Sequence, residues 1–353
     1  MTKPSQHEVM LRTLFRESFG SEAPQEWYAW KYDHMQGRYK EIFDQEGKML
    51  AHYAGFPRRM IGTEHHQQGR QSGDADLCEF EVLQIGDVMV SPKYRGVFGR
   101  RGIFSDLAYA FIEDEVGARG AKPFRRFKWI YGFPNDRHLR IGEHLELYRS
   151  AGSMFELSCA TQKEVSDRLR GLICVPLDGA WFDRNCDSFD QWSLSQTEAL
   201  VRSESICLGR RHAAWWKYRF LSTNTYQVYG CSRGEQDQEA RFLSKASMLQ
   251  GLFALRLHQS GDVLVAELLD VLCEPQAWQS VFEMICRTAS SQDAARLIAW
   301  ATKPVALFLR HKTSEVGIDL AVDTLPFSIA SGRWSSPWID EQIWAMGGDT
   351  DFR

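Results

Sequence analysis

A stretch rich in glycine and arginine is the part of the sequence most suited to binding a charged ligand. It reads DVMVSPKYRGVFGRRGIFSDL over residues 87–107, and its pattern predicts a strand, a loop and an amphipathic helix. The first amides of a helix lack internal partners and lie at the positive end of the helix dipole, which favours an anion such as a pyrophosphate. Glycines let the backbone approach that anion, and arginines neutralise its charge. These residues are Gly96, Gly99, Gly102, Arg95, Arg100 and Arg101.

Two widespread phosphate-binding patterns, GxxxxGKS/T and GxGxxG, do not occur in this stretch. The alternative interpretation is a surface loop whose arginines are solvated. Because glycines and arginines are concentrated between a strand and a helix, the pattern favours phosphate binding over that alternative.

Carboxylates on the apolar run before the loop could accept a proton from a nucleophile. The candidates are Glu79, Glu81 and Asp87. Alternate residues of a strand share a face, so Glu79 and Glu81 lie together, and Asp87 joins them unless a bulge intervenes. Asp87 lies inside the apolar sequence IGDVMV, where a carboxylate needs either a partner or a function. The alternatives are that Asp87 only bridges backbone groups and that the two glutamates are solvated.

The chain has 353 residues, a length that suits two domains. Its formal net charge of -4 does not favour a nucleic acid partner, and it has no apolar run of the ~18 residues that a membrane-spanning helix needs. The eight cysteines are scattered without a CxxC pair. We therefore expect reduced thiols, a cytoplasmic location and no metal site.

Two short motifs, WYAWKY at 27–32 and AAWWKY at 213–218, mark two similar halves of the chain. The first half is predicted to run helix, hairpin, strand, loop, helix, strand, helix and strand, and the second half repeats this outline without the glycine–arginine loop. We expect domains at residues 1–160 and 191–353, with a linker at 161–190. Aromatic residues of both motifs are predicted to anchor the core rather than line a ligand pocket. They are Trp27, Trp30, Tyr32, Trp216 and Tyr218.

The segments DVMVSPKYRG, RRGIFSDL and YGFPN, together with WYAWKY, resemble motifs of the GCN5-related N-acetyltransferases. The similarity is to a bacterial group with WxWKY and GDVMV motifs and two such domains in tandem. It implies an α/β fold of two domains, each with a mixed, mostly antiparallel sheet flanked by helices. It also implies that the first domain binds acetyl-CoA or another acyl-CoA as substrate, and that the second is a degenerate copy.

The resemblance implies cofactor-binding roles for residues of the first half. Backbone amides of the strand bind the pantetheine arm and the thioester carbonyl, and those of the loop and helix start bind the pyrophosphate. The strand residues are Val88, Met89 and Val90, the loop and helix residues are Arg95, Gly99, Arg100, Arg101, Gly102, Ile103 and Phe104, and Asn135 opens the next helix. Two features depart from the family pattern. The loop is longer, and Gly142 stands where a tyrosine often acts as general acid, with Tyr148 later in the predicted helix.

These features predict an acyl-CoA-dependent N-acyltransferase with acetyl as the expected acyl group and a primary amine of a small molecule as acceptor. The alternative is a non-catalytic protein of the same fold that senses a ligand or binds a partner, which Gly142 and the longer loop favour. A third possibility, aminoacyl transfer from charged tRNA, is disfavoured by the negative net charge.

Overall fold

The computed structural model describes residues 4–64, 76–95, 102–117, 126–161, 169–234, 245–313, 319–330 and 342–350. The helices are α1 (Gln6–Phe19), α2 (Ile103–Val116), α3 (Asp136–His144), α4 (Gly179–Glu204), α5 (Ala213–Phe220), α6 (Trp278–Ser291) and α7 (Lys303–Lys312). The strands are β1 (Arg38–Phe43), β2 (Met49–Glu64), β3 (Asp76–Val90), β4 (Ile130–Gly132), β5 (Arg149–Ala160), β6 (Leu172–Leu177), β7 (Cys207–Gly209), β8 (Gln227–Arg233), β9 (Gly251–Ser260), β10 (Val263–Cys273), β11 (Arg296–Thr302), β12 (Asp319–Ala330) and β13 (Ile343–Trp344). A π-helical segment, Ala29–His34, contains the first Trp-Lys-Tyr sequence, and α5 contains the second.

The predicted order of elements is confirmed in both halves, and local signals set several boundaries. α1 begins after Ser5, whose side chain accepts a hydrogen bond from the Glu8 amide, and it ends at Gly20. Gly20 has a φ of 75°, a conformation that glycine adopts without strain. Asn135 caps α3 in the same way as Ser5 caps α1, by accepting from the His138 amide.

Two predicted boundaries differ from the structure. The helix predicted to continue through Tyr148 ends at His144, because the chain turns at Glu146 with a φ of 55°. The predicted linker at 161–190 contains β6 and the first part of α4 within its described residues. In this part of α4 most of the charged residues lie at exposed positions and the large apolar residues are buried, as in an amphipathic helix.

The chain is divided into two compact units. Unit 1 comprises Met1–Arg59, Phe80–Ala151 and Leu325–Pro337, and unit 2 comprises Met60–Glu79, Gly152–Thr324 and Trp338–Arg353. Neither unit is continuous in sequence, since each includes a short segment from the other half of the chain. The domain limits 1–160 and 191–353 stay a prediction about the repeated sequence outline rather than a description of these units.

The sheet of unit 1 has the strand order β1-β2-β3-β4-β12. β1 is antiparallel to β2, β12 is antiparallel to β4, and β3 and β4 are parallel. One face packs against α2, where Leu83 of β3 shares a buried cluster with Leu107 and Phe111. The other face packs against α1, where Met89 of β3 shares a cluster with Leu14.

The principal sheet of unit 2 has the strand order β5-β11-β10-β9-β8-β6. Its neighbouring strands are antiparallel except for β10 and β11, which are parallel. α6 and α7 pack against one face, and α5 with the first half of α4 packs against the other. Each unit therefore contains a mixed, mostly antiparallel sheet between helices, which confirms the predicted fold class.

Candidate functional site

The strand that precedes the glycine–arginine stretch, β3, contains a bulge at Asp87. Leu83 and Ile85 face α2, and Val88 and Val90 pack into the same cluster. In a regular strand alternate residues share a face, so Leu83 and Ile85 should be followed on that face by residues 87 and 89. Residues 88 and 90 lie there instead, which requires one extra residue between Ile85 and Val88. Asp87 has a φ of 54°, in the left-handed region that aspartate tolerates better than most residues.

The bulge separates the predicted catalytic carboxylates. Glu81 precedes the bulge and alternates with Leu83 and Ile85, so it lies on the face of β3 that packs against α2. Asp87 points to the opposite face, toward the first aromatic motif. Glu81 lies 3.8 Å from Arg59, and Glu79 lies 3.3 Å from Arg210. Asp87 was expected to share a face with the two glutamates unless a bulge intervened, and the bulge places it on the opposite face.

The Asp87 carboxylate accepts hydrogen bonds from three side chains of the first aromatic motif. Lys31 Nζ lies 2.7 Å from Oδ1, Trp27 Nε1 lies 3.3 Å from the same oxygen, and the Tyr32 hydroxyl lies 3.1 Å from Oδ2. The Lys31 and Asp87 side chains are only 3% and 7% exposed, so each charge depends on the other for neutralisation. The motif thus holds the bulge aspartate in addition to anchoring the core.

Beyond Gln84, β3 continues past its pairing with β4. The parallel register is Leu83↔Ile130 and Gln84↔Tyr131, and β4 ends at Gly132, so the pairing recorded for the described residues stops before the bulge. α2 begins after Gly102, which has no side chain to cap the helix. The site thus combines a bulged strand end with a helix that lacks the usual side-chain cap.

Only some of the residues predicted to bind the cofactor are described. Gly96, Gly99, Arg100 and Arg101 lie outside the described residues. Val88, Val90, Ile103 and Phe104 pack in the α2-side cluster, and Met89 is buried on the opposite face. Arg95 donates to the Val90 and Ser18 carbonyls, each at 2.8 Å, so its guanidinium joins the end of β3 to the end of α1.

Asn135 opens a helix that carries a half-buried imidazole, His138, close to the start of α2. Its Oδ1 accepts a hydrogen bond from the His138 amide at 2.9 Å. The His138 ring lies 5.1 Å from the Phe104 ring, measured between centroids. Burial lowers the pKa of His138 to about 4, so this imidazole is neutral at pH 7.

Tyr148 fills the space beside Gly142, the position at which the resemblance implies a tyrosine. A Cβ atom at Gly142 would lie 2.0 Å from Tyr148 Cζ, so the ring already occupies that space. The Tyr148 hydroxyl donates to the His138 carbonyl at 2.9 Å. Burial raises the pKa of this hydroxyl well above its ordinary value, which keeps it protonated.

Gly142→Ala should lower the free energy of unfolding by about 1–3 kcal/mol, because the added methyl group displaces the Tyr148 ring. Urea denaturation of the whole chain measures this loss. The control is the same substitution in a Tyr148→Ala background, where the clash is absent and the extra loss should largely vanish. Equal losses in the two backgrounds would contradict the contact.

Unit 2 also contains a bulge, in β10, although its aspartate does not have a positive φ. Ala266 and Leu268 share a buried cluster with the later residues Val271 and Cys273. On this face of β10 the buried residues are even-numbered up to Leu268 and odd-numbered from Val271, so one extra residue lies between them. The register between β10 and β9 also shifts between Leu268 and Asp270. An aspartate again stands at the bulge.

Asp270 is buried and is paired with an arginine rather than a lysine. Arg211 Nε lies 2.6 Å from Asp270 Oδ2, and Arg211 Nη2 lies 2.5 Å from Asp349 Oδ2. Burial raises the pKa of Asp270 to about 7, Arg211 opposes this change and Asp349 adds to it. The lysine of the second motif, Lys217, instead pairs with Asp183 near the surface. The two motifs therefore differ in what their lysines bind.

Residues 343–350 lie along the end of β11 that extends beyond its pairing with β10. The parallel pairing with β10 ends at Ala299, whereas β11 continues to Thr302 and stays paired with β5 to that point. Beyond the end of the β10 pairing, Ala301 forms an antiparallel bridge with Met346. The 343–350 segment therefore lies on the side of β11 that faces β10.

Side chains of unit 2 hold the 343–350 segment in place. Arg219 donates from Nε to the Gly348 carbonyl at 2.8 Å and from Nη2 to the Thr350 carbonyl at 3.1 Å, and all of these groups are buried. The Arg211–Asp349 ion pair adds a third attachment. The chain itself therefore occupies the edge of β11 that lies beyond its pairing with β10.

Sequence reasoning missed the partners of Asp87. Lys31 was considered only as part of an aromatic motif, and Glu41 and His52, which connect to this site through Tyr32, were not considered. A lysine among aromatic residues and an aspartate inside an apolar run each need a partner, and that signal could have joined Lys31 to Asp87. Glu41 and His52 have no comparable sequence signal.

Two further searches concern only the described part of the chain. No group of three or more histidine, cysteine, aspartate or glutamate side chains there could hold a metal ion. In the same part of the chain, no helix combines the length and apolar character needed to cross a bilayer.

Comparison with known proteins identifies the fold. No protein family profile matches the sequence, and no curated protein matches it. The chain is similar to the crystal structure of a GCN5-related N-acetyltransferase from Anabaena variabilis ATCC 29413, with a TM-score of 0.60 and 15% identity over 94% of this chain and 72% of that one. It is also similar to a GCN5-related N-acetyltransferase from Kribbella flavida, with a TM-score of 0.57 and 14% identity over 91% of this chain and 67% of that one.

A third similar structure is a conserved protein of unknown function from Enterococcus faecalis V583, described as a probable N-acyltransferase. Its TM-score is 0.56, and the identity is 12% over 93% of this chain and 71% of that one. At these identities the similarity concerns the fold, and the mixed sheets flanked by helices agree with it. The chain therefore has the fold of the GCN5-related N-acetyltransferases.

Proposed function

We propose that the chain is an acyl-CoA-dependent N-acyltransferase, with acetyl-CoA as the expected donor and a primary amine of a small molecule as acceptor. The single observation that carries the proposal is the bulged end of β3, which continues past its pairing with β4. A strand edge without a neighbouring strand offers backbone amides and carbonyls to an extended ligand, and the pantetheine arm contains such amide groups. A cytoplasmic location forms part of the same proposal.

Binding of the donor is assigned to unit 1. The backbone of Val88, Met89 and Val90 would bind the pantetheine arm and the thioester carbonyl. The pyrophosphate would lie at the start of α2, where Gly102 leaves the helix without a side-chain cap, because helix N-termini attract anions. The proposed binding residues also include Gly99, Arg100, Arg101, Ile103, Phe104 and Asn135. Arg95 would act by holding the end of β3 in position through its hydrogen bonds to Val90 and Ser18.

Acyl transfer to an amine requires a group that accepts a proton from the nitrogen. Asp87 is the favoured candidate among the three carboxylates, because it stands at the bulge and its side chain is buried. Glu79 and Glu81 precede the bulge by several residues and are more exposed, so they are less suited to this role.

Calorimetric titration of the whole chain with acetyl-CoA and longer acyl-CoAs tests the proposal directly. We expect binding that Arg100→Ala/Arg101→Ala weakens by at least about tenfold, since two charges near the pyrophosphate are lost. The matched control is Arg184→Ala/Arg202→Ala, which removes two exposed arginines of α4. Absence of binding by every acyl-CoA would remove the proposal, and equal weakening by both double variants would remove the loop assignment.

A second candidate, a non-catalytic ligand-binding protein, is favoured by one observation. The position where related proteins often have a tyrosine is Gly142, and the nearby Tyr148 hydroxyl donates to a main-chain carbonyl. An assay for thiol release from acetyl-CoA, run across a panel of small amines, separates the two candidates. Acyl-CoA binding without thiol release on any amine would support the second.

A further inference from the structure

A continuous chain of titratable side chains leads away from Asp87 within unit 1. Tyr32 Oη lies 3.1 Å from Asp87 Oδ2 and 2.8 Å from His52 Nε2. His52 Nδ1 lies 3.0 Å from Glu41 Oε1, and His7 Nε2 lies 2.7 Å from the same oxygen. The path therefore runs from the bulge of β3 through Tyr32 and His52 to a carboxylate that two imidazoles share.

Glu41 is a fixed acceptor at the far end of this path. Burial raises the pKa of Glu41, but the hydrogen bonds from His52 and His7 outweigh burial and lower the pKa to about 2. The His52 side chain is completely buried and the Glu41 side chain is 10% exposed. The Glu41 carboxylate can therefore accept a hydrogen bond from His52 Nδ1–H whether His52 is neutral or charged.

The hydrogen-bond geometry allows two arrangements of protons without any movement of heavy atoms. Tyr32 has one hydroxyl proton and can donate it to only one neighbour at a time. When His52 carries protons on both nitrogens, Nε2 donates to Tyr32, and Tyr32 donates to Asp87. When His52 is neutral with its proton on Nδ1, Nε2 accepts the Tyr32 proton, and Asp87 Oδ2 loses that donor.

The two arrangements differ in how readily Asp87 accepts a proton. A hydrogen bond donated to a carboxylate stabilises its charged form, so the loss of the Tyr32 proton makes Oδ2 the stronger proton acceptor. Lys31 and Trp27 donate to Oδ1 in both arrangements and keep the side chain in position. A change in the proton positions on His52 would therefore change the hydrogen bonds that Asp87 Oδ2 accepts.

We propose that Tyr32 and His52 are positioning residues that switch Asp87 between these two states, and that Asp87 accepts the proton of the acceptor amine only when His52 is neutral. This inference rests on the proposed acyl transfer. In that step the amine nitrogen forms a bond to the acyl carbon, and the carbon–sulfur bond of the thioester breaks. The thiolate leaves with the electron pair, and one proton of the nitrogen moves to Asp87 Oδ2.

Several titratable and charged groups face this path. They are His7 of α1, Tyr28 and Lys31 of the first aromatic motif, Tyr39 and Glu41 of β1, His52 of β2 and Asp87 of β3. Tyr39 contacts both imidazoles with its ring, at 4.8 Å from His7 and 5.6 Å from His52 between centroids. Tyr39→Phe is therefore a matched control, since it removes a nearby hydroxyl but leaves Tyr32 unchanged.

NMR of the whole chain with labelled histidine nitrogens and aspartate carboxyl carbons tests the switch without turnover. The Asp87 carboxyl signal should move together with the His52 titration in the wild type and in Tyr39→Phe, and should stop following it in Tyr32→Phe. The switch is overturned by a His52 that keeps one protonation state over roughly pH 5–9, or by an Asp87 signal that still follows His52 in Tyr32→Phe. Glu41→Gln is the second variant, and it should shift the His52 midpoint and the Asp87 inflection together.

The pH dependence of kcat/KM for acyl transfer then tests the link to the reaction. The pH profile of kcat/KM should have an inflection at the His52 midpoint in the wild type and in Tyr39→Phe, and this inflection should be lost in Tyr32→Phe. The Kd of Tyr32→Phe for acyl-CoA should differ from that of the wild type by less than about twofold. The same inflection in Tyr32→Phe would overturn the proposal. If the wild type transfers no acyl group to any amine, the proposed function fails, and the NMR titration still decides whether the switch exists.

Discussion

Lys31→Met should lower the free energy of unfolding by about 3–5 kcal/mol, the range found when one partner of a buried ion pair is removed. Asp87 would remain buried with two neutral donors, Trp27 and Tyr32, and without the ammonium that now lies 2.7 Å from Oδ1. Methionine keeps most of the apolar stem of lysine, so the lost charge accounts for most of the effect. Urea denaturation of the whole chain measures the change.

The second motif supplies the matched control for this prediction. Lys217 occupies the same place in the Trp-Lys-Tyr sequence, but its ion pair with Asp183 has side chains that are 33% and 63% exposed. Water screens such a pair, so Lys217→Met should leave stability nearly unchanged. A second check is Asp87→Asn in the Lys31→Met background, which should recover part of the loss because no unpaired charge remains. Similar losses for the two lysine variants would contradict the role given to Lys31.

Arg211→Met should destabilise unit 2 by about 3–5 kcal/mol or more, because two buried carboxylates lose their shared cation. Asp270 and Asp349 side chains are 1% and 5% exposed, so water cannot replace the guanidinium without opening the structure. We also expect residues 343–350 to separate from β11, since the Asp349 attachment is lost. Hydrogen exchange of the whole chain should show reduced protection of these residues.

The neighbouring arginine provides the control for Arg211. Arg210 pairs with Glu79, and both side chains are partly exposed, at 24% and 40%. Arg210→Met should therefore change stability far less and leave exchange in residues 343–350 unaltered. If Arg211→Met unfolds the chain completely, Asp349→Asn offers a milder test, with faster exchange confined to the same residues. Unchanged protection in both variants would show that this ion pair does not hold the segment.

Local signals account for the part of the fold that the sequence predicts correctly. Apolar periodicity distinguishes helices from strands, and caps such as Ser5, Gly20 and Asn135 mark helix ends within a few residues of chain. The order of elements in both halves could be predicted for this reason. The turn at Glu146 was missed because a single residue with positive φ leaves little trace in an amphipathic pattern.

The bulge at Asp87 was not visible in the sequence because β3 is apolar on both faces near its end. Residues 82–90 include apolar side chains of either parity, so an inserted residue does not disturb any alternation that could be read. The face of Asp87, and its separation from Glu81, therefore follow only from the packing of the strand between helices.

The sequence by itself determined the succession of helices and strands, the similarity of the two halves and the presence of a carboxylate in an apolar strand. Only the tertiary structure decided what the repeated Trp-Lys-Tyr sequences do. Lys31 meets a buried aspartate 56 positions away along the chain, and Lys217 meets one at the surface. The reason is physical: a local sequence specifies backbone conformation, whereas the partner of a charge depends on which distant segments pack beside it.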